Sequence, residues 1–176
     1  MKKIITIALA LVLCASVLCF SVLAANASAT LSGPDTVRAG DTITLTFKLN
    51  GKNIFGASGT LSYDSSVLEL KGTDQKIKSP WVVEFNGDTF VAYDNNLSNP
   101  INKNTDVFTV KFKVKSNVAV GTKITVSYTG VTASDGAADA NIGKVTYSCT
   151  VAAPKSTPPS QTISRAHSHQ LPNLPP

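Results

Sequence analysis

The amino-acid sequence predicts an all-β fold, a sandwich of antiparallel strands with no helix. Three observations carry that expectation. Apolar and polar residues alternate at period two in run after run. Gly, Asn and Asp turn signals separate the runs. The composition is rich in Thr, Val, Ile, Tyr and Phe, and only 15% of residues are charged, against roughly 25% in an average soluble protein. Such residues suit a pleated, half-buried surface rather than a coiled coil or a helical bundle.

Taken from the N-terminus, Met1-Lys2-Lys3 is a basic start, Ile4–Leu23 is almost wholly apolar, and Ala25-Asn26-Ala27 is an A-x-A cleavage site. Residues 1–27 therefore read as a secretory signal peptide rather than a membrane anchor. Leu13 and Leu18 precede Cys14 and Cys19, where a lipoprotein would place a small residue. No later stretch is long and apolar enough to span a bilayer. Removal of the signal leaves Cys149 alone, so no internal disulfide can form and the domain at residues 28–153 must be held by its core. Cys149 itself reads as a buried, inert thiol.

The chain carries a formal charge of +5. Lys2, Lys3, Lys155 and Arg165 lie outside residues 28–153, which are left close to neutral. That balance excludes the basic footprint of a nucleic-acid binder.

Within the domain, Thr42–Asn50 places Ile43, Leu45, Phe47 and Leu49 on one face and Thr42, Thr44, Thr46 and Lys48 on the other. Arg38–Asp41 and Asn50-Gly51-Lys52 bound this strand as loops. Asn86-Gly87 is a two-residue hairpin signal that would pair Phe85 with Asp88, Val83 with Phe90 and Val82 with Val91. One face of that hairpin then carries Val82, Glu84, Thr89, Val91 and Tyr93, the other Val83, Phe85, Phe90, Ala92 and Asp94. Both faces are partly apolar, so the hairpin is either covered on both sides or has an apolar contact surface.

Farther on, Val107–Lys115 opposes Phe108, Val110, Phe112 and Val114 to Lys111, Lys113 and Lys115. The lysine stripe reads as a solvated face that discourages edge pairing, not as an anion site. Thr122–Val131 and Lys144–Val151 alternate in the same way, with Ala119-Val120-Gly121 and Asp135-Gly136 as turns. The count reaches about nine strands. Residues 154–176 are rich in Pro, Ser, Thr, Gln and His and read as a disordered tail or linker.

Catalytic chemistry is hard to assemble from these residues. His167 and His169 both lie in the tail, where His-x-His makes a poor metal site, and residues 28–153 contain no His. A Ser-His-Asp or Cys-His arrangement is therefore excluded from the fold. The only Glu residues of the domain are Glu69 and Glu84, the Asp residues stand mainly in turns, and no pair has a suggestive spacing. The protein reads as no enzyme. Asp94-Asn95-Asn96 and Asp135–Asp139 are oxygen-rich; they read as hydrogen-bonding loop residues rather than calcium ligands. Trp81, the single Trp, reads as a core or edge residue rather than a sugar platform.

Phe55-Gly-Ala-Ser-Gly-Thr-Leu-Ser-Tyr-Asp64 followed by Val67-Leu68-Glu69 resembles the cohesin signature of cellulosome scaffold proteins. Val37–Leu45 upstream, and Asp106–Phe112 and Lys123–Ala133 downstream, are similar to further strands of that family. The resemblance implies a nine-stranded jelly-roll β-sandwich. It implies a non-catalytic, secreted or cell-surface module without a cofactor of its own. The partner would be a dockerin module of a polysaccharide-degrading enzyme or another scaffold protein, with calcium held by that partner. Polysaccharide would be engaged only indirectly, and the module would be a monomer without a membrane span.

In the family the dockerin lies on a sheet face built from the third, fifth, sixth and eighth strands. Matched residue by residue, that face would comprise Gly56, Ser58 and Thr60, then Val83, Phe85, Phe90, Ala92 and Asp94 on the hairpin. Asn95 and Leu97 would follow in the adjoining loop, and Thr132 and Ser134 on the eighth strand. Family members often carry Asn and Asp where Gly56 and Ser58 stand. The family's core set on the hairpin would be Val91 and Tyr93, with Trp81 opposite Ala92. A carbohydrate-binding module of the same jelly-roll class is the alternative, and it would need a row of exposed aromatics; a structural adhesin domain is a third.

Overall fold

The computed structural model describes residues 26–155. Of the leader expected at residues 1–27 and the tail expected at 154–176, residues 1–25 and 156–176, with His167 and His169, lie outside the described residues; Ala27 is described and opens the first strand. Nine strands follow one another: β1 (Ala27–Ser32), β2 (Thr42–Gly51), β3 (Gly56–Tyr63), β4 (Leu68–Gln75), β5 (Trp81–Asn86), β6 (Thr89–Asp94), β7 (Thr105–Val114), β8 (Lys123–Ser134) and β9 (Asp139–Thr150). They form two antiparallel sheets, ordered β1-β2-β7-β4 and β5-β6-β3-β8-β9, packed as the sandwich that the alternation predicts, in the jelly-roll form that the family resemblance implies.

Alternation along each strand sends one set of side chains into the space between the sheets. On β2, Ile43, Leu45, Phe47 and Leu49 are buried, and on β7 so are Phe108, Val110, Phe112 and Val114. The centre of the core is aromatic. Phe47 and Phe108 stack with ring centroids 4.9 Å apart, and Phe90 and Tyr128 of the other sheet meet Phe108 at 4.8 and 5.5 Å. Gly59 has its place because of this cluster. A Cβ there would stand 2.9 Å from Phe90 Cε1 and 3.0 Å from Val131 Cγ2, so only glycine lets β3 cross over the ring. Cys149 is half-buried on the inner side of β9.

Two expectations need correction here. The hairpin turns on Gly87-Asp88, not on Asn86-Gly87: Asn86 pairs with Thr89, Phe85 with Phe90, and Val83, not Trp81, faces Ala92. Gly87, with φ at 58°, takes the first central position of the turn, the place where a positive φ favours glycine over asparagine. The second concerns the lysine stripe. β7 is an interior strand, paired with β2 on one side and β4 on the other. Its lysines lie in the middle of a sheet face and guard no edge.

Candidate protein-binding face

The four strands expected to carry the docking face are contiguous in one sheet, in the order β5-β6-β3-β8. Their register aligns side chains in rows that cross the strands. Glu84, Val91, Ser58, Thr132 and Asn141 form one row from β5 to β9. Val82, Tyr93, Gly56, Ser134 and Asp139 form the next. All of these stand on the outward side, because their strand neighbours Phe90, Ala92, Ala57 and Ala133 are buried.

The strip over β3 and β8 is low and hydroxyl-lined. Ser58 Oγ and Thr132 Oγ1 share a hydrogen bond at 3.0 Å. Thr60 Oγ1 and Thr89 Oγ1 share another at 3.3 Å, and Thr129 Oγ1 donates to the Thr60 carbonyl. At Gly56 there is no side chain at all; a Cβ there would meet nothing closer than the Ala92 carbonyl oxygen at 3.7 Å. Beside this strip the ground rises. Val91 is 44% exposed, the only large apolar residue of the sheet's outer face to be so open. Tyr93 Oη donates to Glu84 Oε1 at 3.1 Å, and that bond to a carboxylate, with partial burial, raises the phenol above its ordinary value and keeps it a donor.

Gly56, Ser58, Thr60, Thr132 and Ser134 thus stand where the sequence analysis expects them, on a shared outward face. Asn95 and Leu97 are exposed in the loop that follows β6. The hairpin residues are inverted. Phe90 and Ala92 are 0% exposed and Asp94 is 2% exposed; Val83 and Phe85, on the same side, are half-buried against the core. The physical reason is aromatic area. Phe85 and Phe90 are directly paired across the hairpin, and both rings pack on Phe108, at 5.2 and 4.8 Å. Burying two phenylalanines outweighs burying Val91 and Tyr93. The outward set that was missed is Val82, Glu84, Thr89, Val91 and Tyr93. Charge does not separate the two sides, since each carries one carboxylate, Glu84 outward and Asp94 inward; the signal that could have found the inner side is the larger apolar area of Phe85 and Phe90 together.

Asp94 does structural work at the end of the face. Oδ1 accepts from the Asn96 backbone N–H, and Oδ2 accepts from those of Ser98 and Asn99. Burial pushes its carboxyl up, but these backbone bonds prevail and hold it below the ordinary carboxylate value. The loop they organise also meets Trp81, whose Nε1–H donates to the Asn99 carbonyl at 2.8 Å. Trp81 is 4% exposed and offers no stacking platform for a sugar, which the carbohydrate-binding alternative needs. Asp135 is occupied in a similar way, accepting from the N–H groups of Ala137 and Ala138 at 2.9 and 2.8 Å. Among the described residues no group of three or more His, Cys, Asp or Glu side chains is arranged to hold a metal ion.

Comparison with known proteins agrees with the architecture. The family model described as "Cohesin domain" matches residues 27–152. No curated protein matches significantly. Among solved structures, the sixth cohesin of Acetivibrio cellulolyticus scaffoldin B, crystallised with a Cel5 dockerin, is 25% identical at a TM-score of 0.54, covering 74% of this chain and 99% of that one. A cohesin module from a Clostridium perfringens family 33 glycoside hydrolase is 12% identical at a TM-score of 0.60, covering 73% of this chain and 98% of that one. A non-cellulosomal cohesin from the archaeon Archaeoglobus fulgidus is 16% identical at a TM-score of 0.54, covering 72% and 92%.

Proposed function

This chain belongs to the cohesin family, and from that premise we propose that the outer face of β5-β6-β3-β8 binds the dockerin module of a partner protein. The observation that carries the reading is the strip of Gly56, Ser58, Thr132 and Ser134 flanked by Val91 and Tyr93. Short side chains let a partner helix approach the sheet backbone closely. The exposed valine and the half-buried tyrosine supply apolar area at its side. Hydroxyls already bonded to one another can turn to the helix without stranding a buried polar atom. Val82, Glu84 and Thr89 complete the footprint, with Asn95 and Leu97 at its end.

In this reading the protein is a secreted module with no catalysis of its own. It would recruit dockerin-bearing enzymes or scaffold proteins to a cellulosome-type assembly acting on polysaccharide. Calcium belongs to the dockerin.

Two arginine substitutions test the face. Ser58→Arg puts a long cation at the centre of the footprint; burying it unpaired costs several kcal/mol, enough to weaken binding about a hundredfold or more. Unbound, that arginine reaches water, so the melting temperature should stay near wild type. Ala92→Arg points into the core and should prevent folding. Calorimetry against a panel of calcium-loaded dockerins reads the affinities, and thermal melts read the folds. Wild-type affinity in Ser58→Arg, or no dockerin bound by the wild type, would refute the assignment. Chelator should abolish binding while leaving the melting temperature of this domain alone.

A further inference from the structure

The other outer face of the sandwich, that of β1-β2-β7-β4, differs from the docking face in its charge. It carries Lys48, Lys71, Lys76, Lys111, Lys113 and Lys115 against Glu69, Asp74 and Asp106. The acids are taken up by three of these lysines, in the pairs Lys48–Asp106, Lys71–Glu69 and Lys76–Asp74. Lys111, Lys113 and Lys115 have no carboxylate within ion-pair distance among the described residues. The field of this row nevertheless reaches the acids. Glu69 is held below its ordinary value first by the bond from Lys71 and then by Lys115 and Lys113, which lie farther away.

Successive lysines in the row are about 7 Å apart, since alternate residues of a strand share a face. That is within one Debye length of about 8 Å, so they repel one another across the middle of a sheet. Thr42 and Thr44 stand beside them on β2, exposed and paired with Lys113 and Lys111. Beyond lie Thr46, Lys48, Ser32 and Thr30. Because β7 is interior, protection of a sheet edge does not account for the row.

We propose that the Lys111–Lys113–Lys115 row, with Thr42 and Thr44, binds a linear phosphodiester polymer built on a polyol without rings. Charge complementarity calls for a polyanion, and the residue types narrow its class. No aromatic side chain stands among the outward residues of β1, β2 and β7, so neither a pyranose ring nor a nucleobase finds a stacking partner. The face has no arginine, so the planar two-bond fork suited to uronate carboxylates is missing. Ammonium groups act as point charges on phosphate, and threonine hydroxyls donate to the remaining phosphate oxygens. The site does not rest on the dockerin reading, and it leaves the opposite face free while occupied.

The test is calorimetry of the folded domain with poly(glycerol phosphate) at several salt concentrations. Polygalacturonate and single-stranded DNA serve as comparison polymers. Three phosphate contacts predict a log–log salt slope of about −2, and tighter binding of the polyol phosphate than of either comparison polymer. The variant Lys111→Gln/Lys113→Gln/Lys115→Gln should lose at least tenfold in affinity with its melting temperature kept. The variant Lys52→Gln/Lys103→Gln/Lys123→Gln removes the same charge elsewhere and should bind as wild type. Absence of binding, equal affinity for polygalacturonate or DNA, or equal loss in both triple variants would each overturn the proposal.

Discussion

At the scale of the residue, Asp94 shows how a charged side chain can be buried when backbone N–H groups satisfy it. Its three backbone donors shape the loop after β6 and press Asn99 onto Trp81. Its carboxyl titrates below the ordinary 3.8, so the folded state prefers the ionised form. The stabilisation it lends is full above that value and is lost as pH falls through the folded one. Asn at this position keeps one acceptor oxygen and turns an amide toward N–H groups. Asp94→Asn should therefore melt several degrees lower at neutral pH, and the gap to wild type should close as pH drops below about 4. Parallel melting curves down to acid pH would show that the carboxylate is not what holds the loop. The sequence marked Asp94-Asn95-Asn96 as a hydrogen-bonding loop, and period-two parity set Asp94 beside Ala92. It did not tell that this side was the inner one.

Among the elements, the β5–β6 hairpin is where local signals and tertiary packing disagreed. Asn86-Gly87 identifies a turn, but moving that turn by one residue moves each cross-strand partner by two, so every side chain keeps its side while its partner changes. The partition into two faces was therefore legible, while the pairing partner of each residue was not. β5 is also an edge strand, and its closure comes from a residue that drew no notice in the sequence. Gln75, at the end of β4 in the opposite sheet, accepts from the Val83 N–H at 3.0 Å and donates to the Trp81 carbonyl at 2.9 Å. A third bond, to the Ile77 carbonyl at 2.8 Å, fixes the amide. This side chain stands in for a neighbouring strand and joins the two sheets. Gln75→Leu keeps much of the volume and removes all three bonds; it should cost about 1–2 kcal/mol. It should also bare the β5 edge to other copies of the chain. Urea titration reads the first effect and light scattering at rising concentration the second. Unchanged stability would mean that water replaces the amide without loss.

For the molecule as a whole, the aromatic cluster is the joint between the sheets. Phe47 and Phe108 come from one sheet, Phe90 and Tyr128 from the other, and Phe108 touches all three partners. Phe108→Ala should cost about 3–5 kcal/mol. The loss should be cooperative, with Trp81 emission and far-ultraviolet dichroism sharing one transition; separated transitions would mean that the sheets unfold independently. Charge is distributed at this scale too. A domain near neutrality in sum places a row of three unpaired lysines, Lys111, Lys113 and Lys115, on one outer face and a hydroxyl strip on the other, a division that net charge conceals. By itself the sequence determined the strands, their two-sided character, the absence of histidine from the domain and the cohesin signature of β3. Each of these rests on residues adjacent in the chain, where alternation of Cβ atoms is a property of the extended backbone. Only the tertiary structure decided which side of the hairpin faces water and that β7 is interior. Both depend on what the opposite sheet and the neighbouring strands present, and those contacts join residues far apart in sequence: Phe90 is buried because Phe47 and Phe108 stand across from it.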